Sequence, residues 1–249
     1  MTFGAGGSTQ HETPETVRLL LQDYTVAPHI SCMGSSRDNL IDLLDQYSAL
    51  GVKNLVVLRG DRPSGFGACQ SDLQHASDLV ALIKSHFPNQ FHTYVAAYPE
   101  CHPEAKTLLS DVQALKIKQD AGANSAITQY FYSAESYFHY RALADIQGIN
   151  MPIIPGIMPI MDFDKLMLFS KRCEAEVPRW LIKQMSVYAG DPDSQYQLGL
   201  DVVTQLCEQL VNFGVDHLHF YTLNQSKTVE CILSRLGVAK TEVVSEEGM

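Results

Sequence analysis

Seven short runs rich in apolar and β-branched residues punctuate this chain: "MTFGA", "APHISCM", "VKNLVVL", "FHTYVAAY", "NSAITQYF", "MPIIPGI" and "DHLHFYTL". Between them lie longer segments with helical spacing. "ETPETVRLLLQDY" places Val17, Leu20 and Leu21 on one face, "SRDNLIDLLDQYSALG" opens with a cap-like Ser-Arg-Asp and closes on Gly51, and "HPEAKTLLSDVQALKIKQDAG" closes on Gly122. Strand and helix alternating at roughly 30 to 40 residues imply parallel strands joined by right-handed crossovers, in an α/β doubly wound sheet or a (β/α)8 barrel.

The residues just past each strand separate these two folds. They read "GAGGST", "MGSS", "RGDRPSG", "YPECHPE", "TQYF", "GIMPI" and "YTLNQ", so most of the unusual polar chemistry sits at carboxyl ends. In a barrel such ends converge on one face, where groups from several strands surround one ligand. A doubly wound sheet would carry G-x-G-x-x-G in its first turn, which "GAGGST" matches only loosely and too near the N-terminus. The (β/α)8 TIM barrel is therefore expected, with about seven of its eight β/α units visible. Within it, Val56 to Leu58 are buried strand, and Arg59 and Asp61 emerge where the backbone turns, at the mouth of the barrel. The same Arg-Gly-Asp occurs as an adhesion motif on extracellular loops, but here an apolar strand leads into it. Taken alone, a structural ion pair explains the charges more simply.

Composition narrows the function classes. A net charge of -10 over 249 residues argues against nucleic acid, which needs a clustered basic surface. No apolar run approaches the roughly 20 residues of a membrane span, and no secretory pattern opens the chain, so a cytoplasmic location is expected. Six cysteines without a C-x-x-C pair suggest reduced, mostly buried thiols, and His217 and His219 in "DHLHF" fit strand alternation better than a metal pair, so no metal site is expected.

The ordered set "LRGDRPSG", "AAYPECHPEA", "DAGANSAITQYFYSAESYFHYR", "IIPGIMPI" and "HFYTLNQS" resembles the methylenetetrahydrofolate reductases, flavoprotein (β/α)8 barrels. The resemblance runs from Thr2 to about Gly237. It implies a barrel domain over 1–237, followed by an acidic, disordered tail over 238–249. It also implies reduction of 5,10-methylenetetrahydrofolate to 5-methyltetrahydrofolate by NAD(P)H, with ping-pong hydride transfer through FAD, supplying methyl groups for methionine synthesis. A homo-oligomer is the expected assembly.

Residue by residue, the resemblance assigns FAD contacts to Thr2, His29, Arg59, Gly60, Asp61, Tyr98, His102, Asp111 and Lys118, with Asp61 approaching the flavin ring and Lys118 suited to a phosphate. Gln129 and Phe169 match folate-contacting residues, Tyr221 falls at the active face, and Lys165 stands where a glutamine is associated with folate and nucleotide. Asp61 and Gln129 are the candidate catalytic residues.

The chain departs from the family in several places. The family's "FEFFPP"-like segment, whose glutamate acts as general acid, has no counterpart before "MTFGAGGST", so a chain lacking its first β/α unit is expected. Ala114 and Ile117 replace polar residues along the cofactor helix, His75 replaces a tyrosine, and Gln225 replaces an arginine that glutamine cannot match in charge. Two other classes compete: a catalytically silent flavin- or folate-binding homologue acting as a partner subunit, and another barrel flavoenzyme of the proline dehydrogenase kind.

Overall fold

The computed structural model describes residues 13–60 and 73–238, which form an α/β fold with a parallel sheet of six strands and nine helices. The strands are β1 His29–Ser31, β2 Asn54–Leu58, β3 His92–Ala97, β4 Ser125–Tyr130, β5 Ile153–Ile157 and β6 His219–Phe220, in that order across the sheet. The helices are α1 Thr13–Leu20, α2 Arg37–Ala49, α3 Ala76–His86, α4 Leu108–Asp120, α5 Ala134–Ile146, α6 Phe163–Cys173, α7 Arg179–Val187, α8 Pro192–Asn212 and α9 Ser226–Arg235. Six of the seven expected strands are thus found in place. The run "MTFGA", with Thr2, lies outside the described residues, as do Asp61 and the tail from 239 onward. No helix among the described residues is long and apolar enough to cross a membrane.

The chain divides into two compact units. The first takes residues up to Thr128 together with His139–Ile154. Its strands pair in register: His29 lies beside Val56, Ser31 beside Leu58, Val57 beside Val95 and Ala97 beside Thr128. Leu55, Val57 and Val95 are fully buried, as apolar strands covered on both faces should be. Leu58 is only half-buried, because the strand is already leaving the core there. At the opposite end of the strands, Lys84 of α3 donates to Phe91 O at 3.0 Å and to Asn124 Oδ1 at 2.8 Å, and that oxygen also accepts from Thr93 N at 2.9 Å.

Two helix expectations need correction. On α1, Val17 is buried but Leu20 is 37% exposed, since the helix closes there and the chain turns through residues 21–24. The α4 helix begins at Leu108 rather than at the His102–Pro103 end of the periodic segment. Thr107 caps it, with Thr107 Oγ1 accepting from Ser110 N at 3.1 Å, and the preceding residues fold as turns.

The second unit takes Gln129–Phe138 and the chain from Pro155 onward. Here β5 pairs with β6, Gly156 beside His219 and Ile157 beside Phe220. Asp191 caps the long helix α8, accepting from Ser194 N at 3.1 Å. The helix packs so closely on the segment after β5 that a Cβ on Gly199 would lie 2.7 Å from Ile160 O.

Candidate active site

In the first unit the chemistry gathers where β2 and β3 end. Gly60, directly after β2, has φ of +85°, and a Cβ there would fall 2.0 Å from Ser31 Oγ, so glycine is required both for conformation and for space. Ser31 Oγ donates to Arg59 O at 2.8 Å, and Met33 N donates to the same oxygen at 2.9 Å. This fixes the backbone from which Arg59 projects.

The Arg59 guanidinium is held as a two-pronged pair by Glu104, Nη1 donating to Oε2 at 2.5 Å and Nη2 to Oε1 at 2.9 Å. Glu104 raises the arginine's pKa further, chiefly through these hydrogen bonds. About three of the five guanidinium donors remain for other partners. Spacing in the sequence gives no sign that Glu104 is this partner, because the contact depends on the turns that carry the chain from β3 to α4.

Those turns also carry Tyr98 and His102, whose rings meet edge to face at 4.5 Å and 84°. Cys101 N donates to Tyr98 O at 3.0 Å, Ala105 N donates to His102 O at 2.8 Å, and Cys101 adopts φ of +74°. Glu104 N donates to His102 Nδ1 at 3.1 Å, which leaves the proton of the neutral imidazole on Nε2, as a donor.

Beneath them lie two charged groups of α4. Lys118 is half-buried with its ammonium turned inward, donating to Ala96 O at 2.8 Å, and burial lowers its pKa against the opposing pull of Asp111. Asp111 is 5% exposed, and its Oδ2 has no hydrogen-bond partner. Burial pushes its carboxyl up to about 6, with Lys118 and the His102 backbone amide pulling the other way. A buried carboxylate oxygen without a donor, near an inward amine, is a group whose missing partner calls for an explanation.

The structure therefore brings together Arg59, Gly60, Tyr98, His102, Asp111 and Lys118. It does not place His29 at a carboxyl strand end: that residue opens β1, level with Val56. On α4, Ala114 is half-buried and Ile117 is exposed, and neither offers a polar atom. His75 precedes α3, where its backbone amide donates to Asp78 at 2.8 Å.

The second unit holds an aromatic cluster around Tyr130 at the end of β4. Phe169 of α6 stacks on it at 6.1 Å and 28°, Tyr221 meets it edge-on at 6.3 Å, and its hydroxyl shares a 2.9 Å hydrogen bond with Ser170 Oγ. Gln129 Oε1 accepts from Tyr130 N at 3.1 Å. Phe169 keeps 39% of its surface exposed. Lys165, one turn earlier on α6, forms an exposed 2.9 Å pair with Asp162. Tyr130 was not among the residues expected from sequence, although it immediately follows Gln129 and its aromatic character in "TQYF" was a signal.

The sequence profile of the family "Methylenetetrahydrofolate reductase" matches residues 1–237. The 5,10-methylenetetrahydrofolate reductase of Pectobacterium carotovorum subsp. carotovorum is 36% identical over 240 residues, covering 96% of this chain and 79% of that protein. That of Escherichia coli (strain K12) is 36% identical over 241 residues with the same coverage. Methylenetetrahydrofolate reductase 1 of Schizosaccharomyces pombe is 31% identical, and this chain spans 40% of its length. Among solved structures, a Clostridium thermocellum protein that binds two copies of 5-methyl-5,6,7,8-tetrahydrofolic acid superposes with a TM-score of 0.54 at 16% identity, covering 86% of this chain and 73% of that one, a likeness of fold.

Proposed function

Because the chain belongs to the methylenetetrahydrofolate reductase family, we propose that it reduces 5,10-methylenetetrahydrofolate to 5-methyltetrahydrofolate, with NAD(P)H as reductant and FAD as cofactor, on a barrel of (β/α)8 type. One observation carries the cofactor assignment: the orphaned Asp111 Oδ2 beside the inward ammonium of Lys118, beneath the turns that present Tyr98 and His102. These residues fit a ligand with both hydroxyls and phosphates. Asp111 would accept from a hydroxyl, while Lys118 and the remaining Arg59 donors would hold the phosphate charge. Tyr98 would supply an aromatic surface. When bound, FAD supplies two-electron hydride chemistry between a nicotinamide and the one-carbon unit of the folate.

In the second unit, the exposed face of Phe169, backed by Tyr130, suits a flat heteroaromatic ring. Gln129 offers its amide N–H groups to such a ring's acceptors. Lys165 supplies a positive charge one turn away, where a polyanionic tail would need it. Stacking and orientation by these residues would hold the one-carbon unit in one pose and keep water from it.

The test is an anaerobic titration. The purified protein should show a flavin spectrum that NADH or NADPH bleaches, and 5,10-methylenetetrahydrofolate should restore it with formation of 5-methyltetrahydrofolate. A flavin that is bleached but not restored by the folate would overturn the reductase assignment in favour of a silent flavin-binding homologue. Absence of flavin binding would overturn the cofactor site.

A further inference from the structure

Tyr130 ends β4 and is 1% exposed, and its hydroxyl reaches two side chains one turn apart on α6. Tyr130 Oη lies 2.9 Å from Ser170 Oγ and 3.3 Å from Cys173 Sγ. Cys173 Sγ in turn donates to Phe169 O at 3.0 Å. A thiol and a hydroxyl each carry one hydrogen. With the thiol hydrogen on the Phe169 carbonyl, the phenol donates to the sulfur and accepts from Ser170.

Ser170 is itself buried at 3% exposure, whereas Phe169, its neighbour, keeps 39% of its surface open. Successive residues of a helix point about 100° apart, so gripping Ser170 from the inside sets the direction in which Phe169 faces out. At 11 residues, α6 is too short to fix its own place, which comes from packing. A ring packed against a helix lets it roll or slide. Hydrogen bonds to residues three apart on one face do not. The Tyr130 ring adds to this grip, since Phe169 stacks on it at 6.1 Å and 28°.

We infer that Tyr130 is a positioning residue whose hydroxyl latches α6 to the end of β4 and so fixes the angle at which Phe169 presents its exposed face. Being buried, it acts through Phe169 rather than by contact with a ligand. The effect on affinity rests on the reading of Phe169 as a folate surface, whereas the latch does not.

Two measurements test this. In the first, para-fluorophenylalanine replaces Phe169 in the full chain, and its fluorine NMR signal is compared in wild type, Tyr130→Phe and Ser170→Ala without ligand. The signal should shift or broaden in both variants. A label at Phe213, which stacks on Phe138 at 4.1 Å in the same unit, should not change. An unmoved label at Phe169 would overturn the latch, and equal changes at both labels would mean general loosening and overturn it as well. In the second, calorimetry gives the affinity of the flavin-loaded protein for 5-methyltetrahydrofolate. Tyr130→Phe should bind about three- to tenfold more weakly, the worth of roughly one hydrogen bond, and Ser170→Ala should follow it. Adding Tyr130→Phe to Phe169→Ala should cause no further loss. A loss that persists undiminished there, or wild-type affinity in Tyr130→Phe, would overturn the positioning role. A wild type that fails to bind this folate would instead overturn the reading of Phe169 as a folate surface, with the fluorine signals still deciding the latch.

Discussion

Gly60 shows how a single residue governs the site. Its φ of +85° and its approach to Ser31 leave no room for a side chain, and it fixes the backbone next to Arg59. Gly60→Ala should cost about 1 to 3 kcal/mol from backbone strain and crowding, read as a lower urea midpoint, and an unchanged midpoint would contradict the close contact. Arg59 behaves differently. Its pair with Glu104 is largely exposed on the carboxylate side, so Arg59→Ala should lower stability by no more than about 1 kcal/mol. Cofactor affinity should fall about tenfold or more in the same variant, as expected for a charge-assisted contact, and equal small effects on both would argue against a ligand role. Arg59, Tyr98 and His102 were legible in the sequence because they stand in motifs at or just after strand ends, whereas Asp111 and Lys118, on helix α4, came only from the family resemblance. Glu104 was not legible: it meets Arg59 across 45 positions through turns whose geometry no periodicity encodes.

At the scale of elements, helix α8 tests close packing. Gly199→Ala improves helix propensity by about 1 kcal/mol in an open helix, but here the new methyl would press on Ile160, 2.7 Å from its oxygen and 2.9 Å from its Cβ. A lower Tm is expected, and a higher one would contradict the packing of α8 on the segment after β5. Strands β3 and β4 carry a pH-dependent tie, with His92 Nε2 and Ser125 Oγ 2.9 Å apart. Burial, aided by the Lys84 charge, lowers the His92 pKa, so the folded state resists protonation that the unfolded chain accepts below about pH 6.5. Stability from this residue is complete above that pH and is lost as pH falls toward the lowered folded value. His92→Gln should lose less stability than the wild type between pH 6.5 and pH 5, and identical slopes would contradict the assignment. Element order was readable because strand runs and helical spacing differ in period, whereas element ends were not. The start of α4 depends on the Thr107 cap, and the periodic pattern upstream of it runs on through residues that fold as turns.

For the whole molecule, a net charge of -10 makes the local positive charge of Arg59 and Lys118 the more informative feature. An acidic protein that binds a phosphate-bearing ligand needs its cations concentrated at the site, and here one of them is held at a strand end and the other turned inward on a helix. The alternation of six parallel strands with helices was legible from the chain's rhythm, since that pattern admits few topologies. The arrangement of Tyr130, Phe169 and Tyr221 as one aromatic cluster was not, because each taken singly is as compatible with a core as with a site. The measurement that tests the central claim most directly is titration of flavin-free protein with FAD, monitored by flavin fluorescence, for the wild type and for Lys118→Met. The account predicts saturable binding by the wild type and an affinity about tenfold or more weaker in the variant. Equal affinities, or no binding by the wild type, would contradict the assignment of this strand-end cluster as the cofactor site.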